Sequence, residues 1–179
     1  MKNNDEKRIA GCWKILYMLH IGDKEVVVGE NLTEPNEVRY MCAYCEATDP
    51  FRGYGECMAS DDYLEIMELY TERIAGQIKA VKAEVVSLQI PVTTIMADQC
   101  HKNDRSNSID GKIVAIRADV LRREYRTADH QLMLIRDGFG VNSNARGSTV
   151  FVTKLYSGKE SLHKRRNIQG EVKPEHIPH

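Results

Sequence analysis

The sequence predicts an α+β fold: an amino-terminal antiparallel β-meander packed on one long helix, followed by a mostly antiparallel, β-rich second half. Three observations carry this. Apolar and aromatic runs before residue 60 are separated by turn signals, a single long helical stripe follows, and strand-like runs resume after it. No alternation of strands with helices marks a parallel sheet.

The elements follow in order. Cys12–His20 is rich in large apolar and aromatic residues, and a turn at Gly22-Asp23 leads into Glu25–Gly29 with its three valines, a hairpin signature. The stretch Asn31–Asn36 with Pro35 reads as a loop, Arg39–Cys45 as a third strand, Asp49–Gly53 as a turn and Tyr54–Met58 as a short fourth strand. Ser60-Asp61-Asp62 then supplies N-cap chemistry for a helix. Tyr63, Met67, Tyr70, Ile74, Ile78, Val81, Val85 and Leu88 recur in steps of four and three, one stripe that predicts a core face lying on a sheet, ended by Pro91. Packing against a partner helix is the other use of such a stripe.

Residues 97–111 form a polar loop and mark the boundary between two expected lobes, 1–96 and 97–179, which could also form one compact unit. Lys112–Arg117, Gln131–Ile135 and Ser148–Tyr156 read as strands. Between the first two, Asp119 can cap a short helical turn through Arg123, and between the last two lies the loop 137–147. Ser157-Gly158-Lys159 reads as a hairpin turn, Lys164–Ile168 as a returning strand, and Pro174–Pro178 as a closing helical turn.

Composition narrows the class. Hydrophobic residues make up 42% of the 179 and charged residues 28%, which suits a folded chain and argues against disorder. No apolar run is long enough for a bilayer span, and the opening Met1–Arg8 places no apolar segment behind its basic residues, so the expected compartment is the cytoplasm, without membrane association. The net charge of −1 conceals an asymmetry: residues 1–100 carry 10 Lys and Arg against 17 Asp and Glu, and residues 101–179 carry 15 against 9. Five of the six histidines also lie in the second part. A basic lobe can meet phosphates or an acidic protein surface, or it can dock the acidic half.

Four constellations carry candidate chemistry. Cys42 and Cys45 have the C-x-x-C spacing of zinc and redox sites, but a second ligand pair is missing. On a strand their odd separation turns them to opposite faces, so separately buried thiols and no metal or cofactor are expected. The Gly138–Gly140 loop with Arg146-Gly147-Ser148 could cradle a phosphate with its amides, or it is a long hairpin connection whose glycines supply positive φ. Two basic clusters, Arg122-Arg123-Glu124-Tyr125-Arg126 and His163-Lys164-Arg165-Arg166, carry guanidinium forks that pair bidentately with phosphate or carboxylate, and Tyr125 in the first could stack on a base or ring. Arg122, Arg123, Tyr125, Arg126, Arg146, Lys164, Arg165 and Arg166 are therefore the expected surface for nucleic acid or an acidic partner, and solvated faces are the plainer use of such clusters. Lastly, His101, His130 and His163, with Lys154 or Glu124, could supply acid–base catalysis on a phosphodiester, though no catalytic residue can be assigned because no hydrolase motif is present.

The segments Gly111–Ala115, Val120–Arg126, Gln131–Leu134, Gly138–Gly140, Ala145–Phe151 and Gly170–Pro178 resemble a module in accessory proteins of plasmids and conjugative elements of Gram-positive bacteria, over roughly residues 105–178. No catalytic motif is carried over with it. The resemblance implies an anti-CRISPR or antirestriction role: a mobile-element-encoded inhibitor that binds a bacterial nuclease, a CRISPR effector, or its guide RNA. The chain departs from acidic DNA mimics because its second half is basic. The alternatives are a small RNA-cleaving enzyme acting on such a guide, and a zinc-stabilised interaction module. A homodimer is compatible with all three.

Overall fold

A computed structural model describes residues 8–33, 38–48 and 51–178. The chain divides into two units, Met1–Lys82 and Ala83–His179, each antiparallel and β-rich. The class is the α+β one expected, with a five-stranded curled sheet, one long helix and a second antiparallel sheet. No helix among the described residues is long and apolar enough to cross a membrane.

The first unit is a meander, β1 (Ile9–Ala10), β2 (Trp13–Ile21), β3 (Lys24–Asn31), β4 (Tyr40–Thr48) and β5 (Phe51–Ser60), paired in chain order. The Gly22-Asp23 turn joins β2 to β3, with Gly22 at φ 68°. Phe51-Arg52-Gly53, expected in a turn, opens β5 instead; the rest of that expected turn, and most of the loop around Pro35, lie outside the described residues. Both faces are covered, which is why β3 reads as a continuous valine run. Val27, Met41, Ala43 and Cys45 pack on one side with Trp13 and Tyr54. Val26, Val28 and Cys42 pack on the other, against the helix.

That helix is α1 (Tyr63–Ser87). Asp62 caps it, its Oδ1 accepting from the Leu64 amide at 2.8 Å. Only its first turns are covered by the sheet: Ile66, 2% exposed, is the central contact, with Met67, Leu69, Tyr70 and Ile74 around it. Further on, Ile78 is exposed, so the expected stripe is not one continuous core face. The helix stops at Ser87 rather than running to Pro91. Arg73 reaches from α1 to the carbonyls of Glu56 (2.6 Å) and Cys42 (3.1 Å), where an extra residue bulges β5 and puts Glu56 at φ 49°.

The second unit holds β6 (Cys100–Lys102), β7 (Ile113–Ile116), α2 (Ala128–Gln131), β8 (Leu132–Asp137), β9 (Thr149–Lys154), β10 (Glu160–Lys164) and β11 (Ile168–Val172). The sheet order is β10-β9-β8-β7-β11-β6, so β7 pairs with β8, which follows it, and also with the distant β11. β6 lies inside the segment expected to be a loop. Gln131, expected in a strand, ends α2 and is fully buried; its side chain bonds the amide and carbonyl of Ile95 and the carbonyl of Ile116. The expected strand Lys164–Ile168 is broken by a 3₁₀ turn at Arg165–Asn167 that carries the chain from β10 to β11. Val114, Ile116, Met133, Ile135, Val150, Val152 and Ile168 form the main core. Ala115, Leu132, Val172 and Cys100 form a second cluster with Ile95 and Ala128.

Candidate functional site

The loops at one end of the second sheet are organised by a single buried side chain. Arg165, 3% exposed, opens the 3₁₀ turn after β10. Its Nε donates to Asn103 Oδ1 (3.1 Å), Nη1 to the carbonyls of Gly140 (3.0 Å) and Val141 (3.2 Å), and Nη2 to those of Asp104 (3.2 Å) and Asn107 (3.0 Å). Its backbone amide donates to Ser148 (2.6 Å). Arg165 is therefore not the surface contact expected of it. Its donors are all taken up by the protein, because a buried guanidinium must satisfy its fork internally.

What it fixes is a set of exposed cations. Lys164 and Arg166 flank it, and Arg146 lies two residues before Ser148. Arg105, which the sequence reading missed, joins them through its carbonyl, bonded by the Asn144 amide at 2.7 Å. All four side chains are exposed and none makes an ion pair among the described residues. The neighbouring acid is Asp104, held below the ordinary carboxylate range by hydrogen bonds from Ser106. A cleft of about 200 Å³ beside Arg165 is lined by His101, Lys102, Asn103 and the Lys112–Glu171 ion pair (2.6 Å).

The other predicted cluster sits elsewhere. Arg122 and Arg123 are exposed at the 3₁₀ turn Arg123–Tyr125. Arg126 is half-buried and donates to the Leu121 carbonyl at 3.1 Å. Tyr125 is stacked on His130, ring centroids 4.2 Å apart and 16° from parallel, with Lys154 Nζ 5.8 Å from its ring centre. One face of the ring is thus covered by the protein.

That stack belongs to a titratable centre. His130 Nδ1 lies 2.7 Å from Asp129 Oδ2, with both side chains about 95% buried. Burial opposes the Asp129 carboxylate, but His130 and the Thr127 hydroxyl outweigh it and hold its carboxyl low. In the β9–β10 register His163 pairs with Val150 and Ser161 with Val152, so Lys154, Ser161 and His163 share the face of those valines. Burial pushes the Lys154 ammonium and the His163 imidazole below their ordinary values, and Lys154 pushes His163 further. Of the histidines singled out by sequence, His130 stacks on Tyr125 and His163 lies on β10 on the sheet face of Lys154, while His101 lies exposed on β6.

The sign of the pH dependence follows. His163 binds its proton more weakly folded than unfolded, so its neutral form is favoured and stability falls as pH drops below about 6.5. Asp129 acts lower, its contribution present above about 4 and lost as pH falls through its depressed folded value. The urea midpoint of the second unit is expected to decline between pH 7.5 and 5.5, and His163→Gln should flatten that decline. An unchanged slope in the variant would remove His163 as the cause.

Cys42 and Cys45 do lie on opposite faces of β4, in separate clusters, and no group of three or more His, Cys, Asp or Glu among the described residues could hold a metal. In the Gly138–Gly140 loop the two glycine amides are spent within the protein. Gly138 N donates to Asp137 Oδ1, Gly140 N to the Thr149 carbonyl and Val141 N to Gly138. The hairpin reading holds, with positive φ needed at Gly138 (133°) and close backbone approach at Gly140. No family model, curated protein or solved structure matches this chain.

Proposed function

We propose that this chain is an inhibitor of a bacterial defence nuclease of the CRISPR-effector kind, acting by binding the nuclease or its guide RNA in the cytoplasm. The observation that supports it best is the group of exposed cations, Arg105, Arg146, Lys164 and Arg166, presented without ion pairs among the described residues on loops that buried Arg165 holds in place. Prefixed cations lose little entropy on meeting phosphate or carboxylate, and their contribution falls as salt rises. The resemblance of residues 105–178 to the mobile-element module gives the class of target.

The test is cleavage by a panel of guide-loaded nucleases titrated with the purified protein. Loss of cleavage by at least one nuclease is expected, relieved by reversing charge at Arg146, Lys164 and Arg166 together. A panel left fully active overturns the reading.

One observation favours a second reading, cleavage of the guide. His130 stacks on Tyr125, Lys154 Nζ lies 5.8 Å from that ring's centre, and His163 shares the sheet face of Lys154, its imidazole held below its ordinary value by burial. New fragments from guide RNA incubated with the protein, abolished by His163→Ala, would select it over simple binding.

A further inference from the structure

The outward face of β8–β10 carries apolar side chains where an ordinary sheet would be polar. Phe151 and Leu162 are a cross-strand pair, 46% and 55% exposed, and Asp137 pairs with Phe151 on its other side. Two residues beyond Asp137 stands Phe139, 82% exposed.

Phe139 is not out in solvent through slackness. Its neighbours are pressed against the facing segment: a Cβ on Gly138 would meet the Thr149 carbonyl oxygen at 2.4 Å, and one on Gly140 the Ser148 carbonyl carbon at 2.9 Å. A Cβ on Gly147 would meet Phe139 itself at 2.3 Å. Together with the Gly140–Thr149 hydrogen bond (2.8 Å), this fastens the backbone on both sides of Phe139. A local structure that needs glycine at several positions in order to hold one aromatic ring in water runs against folding efficiency, and such conflicts concentrate at binding sites.

The rim is charged. Lys164 faces Thr149 in the ladder and so shares the outward face with Leu162. Arg136 lies along it, its Nε bonded to Thr153 Oγ1 at 3.1 Å. Arg146 adjoins the Gly147 that rests on Phe139. The acids on this face are Glu160 and Asp137, the latter accepting from the Gly138 amide.

We infer that this face binds single-stranded nucleic acid, with unpaired bases stacking on Phe139 and Phe151 and phosphates meeting Lys164, Arg146 and Arg136. Aromatic rings exposed on a sheet (Phe151) and on the loop joining two of its strands (Phe139), flanked by cations, suit splayed bases, whose π-faces are buried in a duplex. The inference deepens the inhibitor reading by naming its contact as the unpaired part of a guide RNA, and it rests on that reading only for the identity of the strand.

The experiment is fluorescence anisotropy of the full chain with a labelled single-stranded oligouridine, and with the same strand annealed to its complement. Single-strand binding is expected, with the duplex much weaker. Phe139→Ala and Phe151→Ala should each weaken it about five- to a hundredfold at an unchanged urea midpoint. Lys164→Ala should weaken it more evenly and lower the salt slope by about one.

Wild-type affinity in both phenylalanine variants, equal binding to duplex, or no binding overturns the inference. So does a dimer that Phe151→Ala converts to monomer without any RNA binding, which would make this a self-association face. Nuclease inhibition without single-strand binding removes this inference and leaves the inhibitor reading standing. Single-strand binding without inhibition does the reverse.

Discussion

Replacing Arg165 by Met is expected to cost the second unit about 3–5 kcal/mol, because several oxygens held by the guanidinium lose their donor together. The side chain bonds the carbonyls of Gly140, Val141, Asp104 and Asn107 and the Asn103 amide oxygen, and methionine satisfies none of them. Each acceptor left buried costs about 1–3 kcal/mol, reduced here because Asp104 and Asn107 lie on exposed loops that water can reach. Arg165→Lys should recover little: an ammonium keeps the charge but cannot span two loops with a rigid fork. Urea unfolding followed across these variants and Arg166→Ala separates the effects. Arg166 is exposed and its loss should change the unfolding free energy by no more than about 0.5 kcal/mol. A loss below about 1 kcal/mol in Arg165→Met would show that the network is replaceable by solvent. The same variant should lose salt-dependent partner binding, because the cations on the released loops no longer share one frame.

The basis of that prediction was only partly visible in the sequence. The meander was legible because its signals are local: the Gly22-Asp23 turn, the valine run of β3 and the cap at Asp62 each act within a few residues. The helix is legible as a helix, but a stripe running through Met67 passes over Ile66, which lies three residues after Tyr63 on the same face and is the buried residue of the helix. Periodicity gives the face of a helix and not the length over which something covers it, so Ile78 falls on the expected stripe and is nonetheless exposed. Arg165 was hidden in a run of basic residues, where composition treats every member alike. A signal was nonetheless present. Ser161 and His163 alternate inward on β10, and the next residue of that parity is Arg165. Phe139 was legible in retrospect for a similar reason, being a bulky apolar residue enclosed by glycines in a loop, where nothing local offers it burial. The pairing of β7 with β11 joins residues more than fifty apart in sequence, and no local pattern reports it.

That long-range pairing makes Gly170→Ala the most disruptive small substitution in the second unit. Gly170 is paired on both sides, with Ala115 of β7 and Lys102 of β6, just after a register shift at Gln169. An added Cβ would stand 1.9 Å from the His101 carbonyl oxygen, a backbone atom that no rotamer change can move aside. The strain can be relieved only by displacing a strand. Between the two neighbours β6 is the one that yields, since it is a three-residue edge strand and β7 is held in the core by Val114 and Ile116. The expected cost is about 2–3 kcal/mol, the upper part of the range for overpacking, and most of it should appear as local opening rather than global unfolding. Cys100 reports that opening directly. It is 8% exposed, its thiol is raised by burial, and it forms part of the cluster that contains Val172. Alkylation of native protein followed by peptide mass analysis should therefore leave Cys100 protected in wild type and label it readily in Gly170→Ala, while Cys57, exposed on β5, is labelled equally in both. Equal protection of Cys100 in the two proteins would mean that β6 tolerates the methyl group, and that the close approach at Gly170 does not control how this edge of the sheet is held.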